Sequence, residues 1–267
     1  PRKLAIAARF AVDHPDRIAL DSMRTAAAQC GVTSPTMLRL ARVVGFDSYD
    51  DFRGEFQRGF VGQGFGSRAH ALQDVGSDDK SLPLVPRLAE AALQNLSQTI
   101  HNLDAALIDT FAKTVRRAGR LFIVGSGSMH WLAALMETTG AMALSGIQVD
   151  HSSNPTAVEF LASVDEKDAV LILSIAPYAN RTIEAAQFAQ AAGATVFGIT
   201  DRRSSPIVRH CDHAFFVATE SPHYYPSLVS VVLLIEVLLA SAVSGARSFQ
   251  RIEAVERLRI KSGAYQT

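Results

Sequence analysis

Between Arg120 and Ala242 the sequence alternates short apolar runs with longer stretches of helical periodicity. Strand and helix alternation at this spacing predicts a parallel sheet with helices packed on both faces. The chain has 267 residues, of which 48% are hydrophobic, so it can bury a substantial core and is not a disordered regulator. The predicted strands are Leu121–Val124, Ile147–Val149, Ala169–Ile175, Thr195–Ile199 and Ala214–Val217, and the helices between them are Trp131–Leu144, Thr182–Ala192 and Leu228–Ala242.

A smaller, all-helical unit is predicted before this sheet. The apolar spacing indicates a first helix through Leu4 and Ala11 and further helices at Met23–Cys30, Thr36–Val44 and Tyr49–Phe60. Glycines, prolines and polar residues without sustained apolar periodicity follow, as in a linker. We therefore predict an α + α/β fold, with a helical domain at 1–60, a linker at 61–86 and a parallel five-stranded α/β domain at 87–267 that opens with a long helix over Leu88–Val115.

The second and third predicted helices and the turn between them have the form of a helix-turn-helix. Gly31 supplies a left-handed helix cap, and the small side chains of Ala26–Ala28 allow two helices to cross closely. Ser34 and Pro35 are an N-cap followed by proline at the first helical position. The pattern predicts a DNA-binding domain.

The amino-terminal end of a recognition helix enters the major groove of DNA, so short polar side chains and arginines at that end are the expected contacts. An ordinary three-helix domain whose turn merely packs is the alternative. Charge does not decide between them, because the first 60 residues hold nine basic and seven acidic side chains. The predicted contacts to bases and phosphates are Thr33, Ser34, Thr36 and Arg39, with Arg42 and Arg24 on phosphates.

The carboxyl ends of parallel strands share one edge of a sheet, where ligands bind. At this edge the first strand runs into Gly125-Ser126-Gly127-Ser128 and the start of a helix. Backbone N–H groups and the two hydroxyls converge there, as in an anion site. A dinucleotide site is the alternative, with Asp150 on a ribose, although His130 stands where a third glycine is expected.

A second polar loop, from Ser174 to Thr182, follows the third strand. Either Asn180 or Thr182 is a suitable cap for the helix that follows, and Arg181 adds a cation beside the positive end of that helix. A carboxylate or phosphate would be held well by such a loop. The structural alternative is that Thr182 only caps the helix and Arg181 is solvated.

The order of these motifs resembles that of the MurR/RpiR family of bacterial regulators. The resemblance covers Arg2 to Phe60 and Arg120 to about Ala242. It rests on the following segments: Gly31 to Arg39 with Gly45-Phe46, Gly125 to Ser128, Ser174 to Thr182, and Ile199-Thr-Asp201 with Ser205-Pro206. The family joins a helix-turn-helix to a sugar isomerase (SIS) domain that binds phosphosugars.

The resemblance implies a ligand-responsive transcriptional regulator whose partners are operator DNA, a phosphosugar or other anionic metabolite, and further copies of the chain in a homodimer or homotetramer. The family commonly has Ser-x-Ser-Gly-Glu-Thr after the third strand, where this chain keeps Ser174 and Thr182 and replaces the middle. We therefore expect Tyr178 and Arg181 to contact the effector. The implied effector ligands are Ser126, Gly127, Ser128, Ser174, Tyr178, Asn180, Arg181, Thr182, Glu220 and His223.

A SIS-fold isomerase with a helical accessory domain is the alternative function. Sugar isomerases use a positioned Glu or His as general acid or base, and the candidates here are Glu220 and His223 after the fifth strand. Both residues equally suit ligand binding, and we predict no catalysis and no cofactor. Consecutive residues point in different directions, so the His210-Cys211-Asp212-His213 run is not predicted to bind metal.

The expected compartment is the cytoplasm. The two cysteines, Cys30 and Cys211, form no metal or disulfide framework, which indicates a reducing environment, and the first residues lack the pattern of a signal peptide. The most apolar stretch, Leu228 to Val243, holds Glu236 at its middle, where a carboxylate in hydrocarbon would cost several kcal/mol. We predict a buried helix there, suited to a subunit interface, and no membrane partner.

Overall fold

A computed structural model describes residues 2–61, 65, 69, 84–151, 156–243 and 246–264. The chain divides into two units, Pro1–Leu82 with Pro222–Tyr225, and Pro83–Ser221 with Pro226–Thr267. Most of the predicted linker lies outside the described residues, which omit 62–64, 66–68 and 70–83.

The first unit is helical, as predicted, and over residues 2–61 it has one helix more than the apolar spacing indicated. The additional helix is short and begins at Pro15 directly after the first helix ends. Two later helices are each preceded by a serine, Ser22 or Ser48, whose hydroxyl accepts a hydrogen bond from the backbone N–H three residues on. The helices are α1 (Arg2–Asp13), α2 (Pro15–Leu20), α3 (Met23–Gln29), α4 (Ser34–Val43) and α5 (Tyr49–Val61).

Small and aromatic side chains together fill the core of this unit. Alanines such as Ala7 and Ala26 are fully buried and let the helices approach closely, while Phe52 packs edge-on against Phe46 and Phe56. The core residues are Ala7, Ala11, Ile18, Ala26, Ala27, Met37, Leu40, Ala41, Tyr49 and Phe52.

The second unit opens with two helices where the apolar spacing predicted one. α6 (Leu84–Asn102) and α7 (Ala105–Arg117) are separated at Leu103 and Asp104. The Asp104 carboxylate accepts a hydrogen bond from the Ala106 N–H and so caps α7. The single long helix predicted over Leu88–Val115 is therefore broken into two helices.

A five-stranded parallel sheet lies at the centre of the second unit and confirms the predicted fold class. Its strand order is β2-β1-β3-β4-β5, with every neighbouring pair parallel. Predicted and observed strand ends differ by at most two residues. The strands are β1 (Leu121–Gly125), β2 (Ile147–Val149), β3 (Ala169–Leu173), β4 (Thr195–Thr200) and β5 (His213–Phe216).

Helices cover both faces of this sheet. On one face, Phe111 of α7 packs edge-on against Phe197 and Phe215, and on the other Phe122 packs against Phe160. Beta-sheets buried on both faces contain nearly continuous apolar strands, as β1 and β3 do here. The remaining helices are α8 (Ser128–Gly140), α9 (Val158–Leu161), α10 (Asn180–Ala191), α11 (Val229–Val243) and α12 (Ala246–Lys261), with a 3-10 turn at Val208–His210.

The apolar helix α11 packs into the core as predicted. Val231, Leu234 and Leu238 are fully buried, whereas Glu236 faces outward and is exposed. In the part of the chain that the structure describes, a single helix long and apolar enough to span a membrane is not found, and α11 meets the criterion only jointly with α12 across a bend of 107°.

An ion pair ties together the amino-terminal ends of β1 and β3. Arg120 donates from Nε to Asp168 Oδ1 at 3.0 Å and from Nη2 to Oδ2 at 2.6 Å, and the Asp165 N–H also reaches Oδ2. Asp168 is 3% exposed. Burial on its own would raise the pKa of the Asp168 carboxyl, but the Arg120 hydrogen bonds lower that pKa below its usual value. The charged carboxylate therefore stabilises the fold.

We predict that Asp168→Asn lowers the free energy of unfolding by about 1–3 kcal/mol at pH 7, because Arg120 loses its charged acceptor. A carboxyl with a lowered folded-state pKa stabilises the protein above its unfolded pKa of about 4, and this contribution is lost as pH falls through the folded pKa. The gap between wild type and variant should therefore narrow steadily below pH 4. Urea unfolding followed by circular dichroism at pH 7 and at pH 3 measures both values.

Asp109→Asn is the matched control. Asp109 pairs with Lys113 on the surface of α7, where its side chain is 53% exposed. Exposed pairs contribute little, so the change should stay below about 0.5 kcal/mol at either pH. Equal effects of the two substitutions would contradict the role assigned to Asp168.

Candidate functional site

The turn between α3 and α4 has the geometry that the sequence predicted. Gly31 adopts the left-handed conformation with φ +69°, and the Val32 N–H returns to the Ala27 carbonyl at 2.9 Å. Ala26 and Ala27 are buried where the helices cross. Ala28, which was expected to line the same crossing, is exposed instead.

The helix α4 begins at Ser34, two residues before the predicted range and one before Pro35, the expected first helical residue. Thr33 is the N-cap in extended conformation, so Ser34 and Pro35 are the first and second helical residues. The Thr33 hydroxyl does not cap the backbone but lies 3.0 Å from the Thr36 hydroxyl. The expected Ser34 cap is therefore wrong, while proline within the first turn agrees with the pattern.

α4 is amphipathic, with a buried apolar face and an exposed face that carries arginines. Met37, Leu40 and Ala41 point into the core of the unit, whereas Arg39 and Arg42, three residues apart, are exposed. Within the described ranges, neither of these arginines forms an ion pair or hydrogen bond with a protein side chain. The predicted contacts Thr33 and Arg24 are exposed as well, and Ser34 and Thr36 are half-buried.

The order of strands locates a crevice in the second unit. β1 lies between β2 and β3, so the chain goes from β1 to one side for β2 and then to the other side for β3. Helices that follow β1 and β3 consequently pack on opposite faces, and the loops at the carboxyl ends of these two strands diverge. The two polar loops predicted as effector ligands, Ser126–Ser128 and Ser174–Thr182, both begin at this point.

The glycine loop after β1 is shaped by close backbone approach. A Cβ on Gly125 would lie 2.5 Å from the carbonyl carbon and oxygen of Met129, so only glycine fits. Gly127 is the N-cap of α8 with φ +59°, and the His130 N–H donates to its carbonyl at 3.1 Å. Ser126 and Ser128 are half-buried at the start of α8. The loop therefore presents hydroxyls at the positive end of a 13-residue helix.

The hydroxyls of Ser174 and Thr182 in the second loop form a hydrogen bond with each other. The Ser174 and Thr182 oxygens are 2.8 Å apart and buried, and Thr182 Oγ1 also donates to the Ala179 carbonyl at 2.7 Å. Ala179 is the N-cap of α10, without a side-chain cap. The expectation that Asn180 or Thr182 caps this helix is therefore wrong, and Asn180 is its exposed first residue.

Arg181 is mostly buried and forms an ion pair at the carboxyl edge of the sheet. Its Nη2 donates to Asp150 directly after β2, and Nη1 lies 3.4 Å from the Gly125 carbonyl. The two side chains are 13% and 4% exposed. Among the described residues, Arg181 Nε has no hydrogen-bond acceptor. Because Asp150 is paired with Arg181, the carboxylate expected on a ribose in the dinucleotide alternative is already engaged.

Tyr178 joins the loop after β3 to the loop after β4. Its hydroxyl donates to Asp201 Oδ1 at 2.8 Å, and Asp201 Oδ2 accepts from Arg202 Nε at 3.0 Å. Burial, with the negative charge of Asp201 as the second cause, raises the pKa of Tyr178 well above its usual value. Tyr178 is therefore a neutral hydrogen-bond donor at any physiological pH.

The two acid–base candidates after β5 fall in different units. Glu220 belongs to the second unit, where its side chain is exposed while its backbone is bound by Asn95. His223 belongs to the segment Pro222–Tyr225 of the first unit, and its Nδ1 accepts from the Tyr225 N–H at 3.0 Å.

Two buried residues of α6 were missed from the sequence. Asn95 and Thr99 are 1% and 0% exposed, and their side chains bind the backbone of the loop after β5. Their spacing of four residues places them on one helical face, which was the available signal.

The run from His210 to His213 shows four different environments. His210 contacts Gln190, the Asp212 carboxylate accepts from the Val196 N–H, and the His213 ring stacks on Phe197. Burial raises the pKa of the Cys211 thiol to about 12. In the described part of the chain, no cluster of three or more His, Cys, Asp or Glu could hold a metal ion.

Comparison with known proteins assigns residues 114–244 to the SIS domain family. An uncharacterized HTH-type transcriptional regulator of Haemophilus influenzae is 24% identical over 200 residues, which cover 74% of this chain and 69% of that protein. The sugar isomerase domain of the RpiR transcription factor from Sphaerobacter thermophilus is 23% identical and superposes with a TM-score of 0.61 over 67% of this chain and 98% of that one.

A longer structural match is the Vibrio vulnificus NanR protein, solved in complex with ManNAc-6P. It is 18% identical, with a TM-score of 0.62, and the match covers 99% of this chain and 95% of NanR. These similarities confirm the resemblance predicted from the order of the motifs: residues 114–244 carry a SIS domain, and the chain is similar to HTH-type transcriptional regulators and to the RpiR and NanR structures.

Proposed function

We propose that this chain is a transcriptional regulator that binds operator DNA through α3 and α4 and senses a phosphosugar or related anionic metabolite in its SIS domain. The observation that carries the proposal is the division of α4 into a buried apolar face and an exposed face with Arg39 and Arg42. The regulators named among its relatives support the same function.

DNA recognition follows from the chemistry of the exposed face. An arginine guanidinium can donate two parallel hydrogen bonds to guanine O6 and N7, which is the role we assign to Arg39. Arg42, one turn further, and Arg24 on α3 neutralise phosphates. Thr33, Ser34 and Thr36 at the amino-terminal end of α4 supply short polar contacts to bases and phosphates.

Effector binding uses the crevice between the loops after β1 and β3. The N–H groups at the start of α8 carry partial positive charge, and Ser126 and Ser128 add hydroxyl donors beside them. Arg181 lies at the same edge with one buried N–H lacking an acceptor among described residues, so an anion oxygen that reached it would satisfy that donor. NanR, which binds ManNAc-6P, has the same fold and supports a sugar phosphate as effector.

We infer that the SIS domain of this chain senses its ligand without turning it over. An isomerase needs an acid–base residue directed at the sugar carbons. Glu220 is exposed, and the Nδ1 atom of His223 already accepts a hydrogen bond from the Tyr225 N–H. A metabolite that binds one arrangement of the dimer better than another then shifts operator affinity by that difference in binding free energy.

We predict that Arg39→Ala weakens binding to a DNA fragment from the protein's own upstream region by about 1–3 kcal/mol, because one bidentate base contact is lost. Fluorescence anisotropy at several salt concentrations measures the affinity and its salt dependence. Effector binding should be unchanged in this variant.

Arg9→Ala is the control for loss of charge alone. Arg9 is also exposed but lies on α1, outside the recognition helix. It should change operator affinity by less than about threefold. Tight, salt-dependent binding that Arg39→Ala leaves intact would contradict the recognition role, and no specific binding by the wild type would contradict the function itself.

Effector binding can be tested at the start of α8. Ser128→Asp places a negative charge at the first residue of this helix, where an acidic side chain favours the helix but repels a bound anion. It should abolish the thermal stabilisation that a hexose 6-phosphate or N-acetylmannosamine 6-phosphate gives the wild type, without lowering the Tm of the free protein. Differential scanning fluorimetry with each sugar phosphate measures both.

Ser128→Asn, which adds similar volume without charge, is the matched control and should retain part of the stabilisation. If the aspartate variant binds sugar phosphates as well as the wild type does, the anion site lies elsewhere. If no sugar phosphate stabilises the wild type, the same assay with carboxylate metabolites distinguishes another anion from an empty site.

A further inference from the structure

α6 buries polar side chains and exposes apolar ones. Asn95 and Thr99 are 1% and 0% exposed, whereas Leu93 and Ile100 on the same helix are 67% and 57% exposed. Hydrophobic burial alone would orient the helix the other way. A specific set of hydrogen bonds must therefore hold the polar face inward.

Those hydrogen bonds all end on the backbone of the loop that follows β5. Asn95 Oδ1 accepts from the Glu220 N–H at 3.1 Å, and Asn95 Nδ2 donates to the Glu220 carbonyl. Thr99 Oγ1 accepts from the Ala218 N–H at 3.0 Å. The three bonds fix both the position and the orientation of the loop on α6.

The same loop is closed at its base. The Ser227 N–H donates to the Thr219 carbonyl at 3.0 Å, so the chain leaves and re-enters the second unit at one place. Between these two points runs Pro222–Tyr225, which belongs to the first unit. Within that unit, the Tyr225 ring stacks on Phe65 with centroids 5.0 Å apart.

α6 is itself next to a crossing between the units. The first unit ends at Leu82, and α6 begins at Leu84. Asn95 and Thr99 thus join two elements, each of which continues covalently into the helical unit. One of them, the loop after β5, starts at the carboxyl edge of the sheet, the same edge from which the loops after β1 and β3 leave.

We propose that Asn95 and Thr99 are positioning residues that couple the effector edge of the SIS domain to the DNA-binding unit, an inference that rests on the proposed function. A displacement of the loop after β5 is carried to α6 through these side chains, because breaking the bonds would leave buried backbone and amide groups unpaired. The coupling therefore acts at the same time on both covalent connections between the units, namely the loop after β5 and the start of α6. Without these hydrogen bonds, the chain still binds both DNA and effector, but the binding of one no longer affects the binding of the other.

Linkage is reciprocal, so operator DNA can serve as the probe before the effector is identified. Hydrogen exchange at the amides of Ser126–His130, in the glycine loop after β1, is measured on the full chain with and without the upstream DNA fragment. Anisotropy on the same fragment gives the affinity of each variant, and the Tm reports folding.

The decisive comparison is between two substitutions at one position. Thr99→Ser keeps the hydroxyl that accepts from Ala218, and Thr99→Val keeps the shape without it. Asn95→Ala tests the other pair of bonds, and Gln94→Ala, an exposed neighbour on the same helix, is the control.

In the wild type, Thr99→Ser and Gln94→Ala, we expect DNA to change exchange at Ser126–His130 by about fivefold or more. In Thr99→Val and in Asn95→Ala the change should fall below about twofold, with DNA affinity within about threefold of wild type. Thr99→Val removes a single hydrogen bond, so it keeps the comparison valid if Asn95→Ala does not fold.

A full DNA-induced change in Thr99→Val and in any folded Asn95 variant would overturn the coupling role and leave the proposed function intact. DNA binding by the wild type without any change at Ser126–His130 would also overturn it. Absence of specific DNA binding by the wild type would overturn the proposed function, and this inference with it.

Discussion

The close approach of α8 to the end of β1 is the constraint on which the crevice depends. A Cβ on Gly125 would meet the Met129 backbone at 2.5 Å, so the helix can start directly above the strand only because glycine stands there. β1 lies between β2 and β3 and is buried along its whole length, which leaves little freedom to relieve such a clash. The position of the Ser126 and Ser128 hydroxyls, and the aim of the positive end of α8, follow from this contact.

Around that contact, two polar pairs connect the loops that follow β2, β3 and β4 at the carboxyl edge. Arg181 binds Asp150 between the loops after β3 and β2, and Tyr178 binds Asp201 between those after β3 and β4. Buried polar groups are expensive to leave unpaired, so these pairs hold the crevice in one geometry before any ligand enters. Preorganisation of this kind reduces the conformational entropy that a ligand must remove on binding.

The sequence allowed correct prediction of the parallel sheet, because both buried faces required apolar runs whose ends are marked by glycine and polar residues. Gly31 was equally predictable, since a tight turn between crossing helices favours a left-handed residue. The buried face of α6 could not be predicted in this way. Its apolar residues Leu93 and Ile100 are exposed while Asn95 and Thr99 face inward, because the hydrogen-bond partners of Asn95 and Thr99 come from a loop more than a hundred residues away.

By itself, the sequence determined the strands within two residues, the Gly31 turn between α3 and α4 and the polar loops at one sheet edge. These are local properties: periodicity, capping and turn chemistry act over a few neighbouring residues. Only the tertiary structure decided that Arg181 pairs with Asp150, that the Ser174 and Thr182 hydroxyls bind each other, and that α6 buries its polar face. Such choices depend on which side chains meet across the fold, and hydrogen bonds between distant segments leave no periodic trace in the chain.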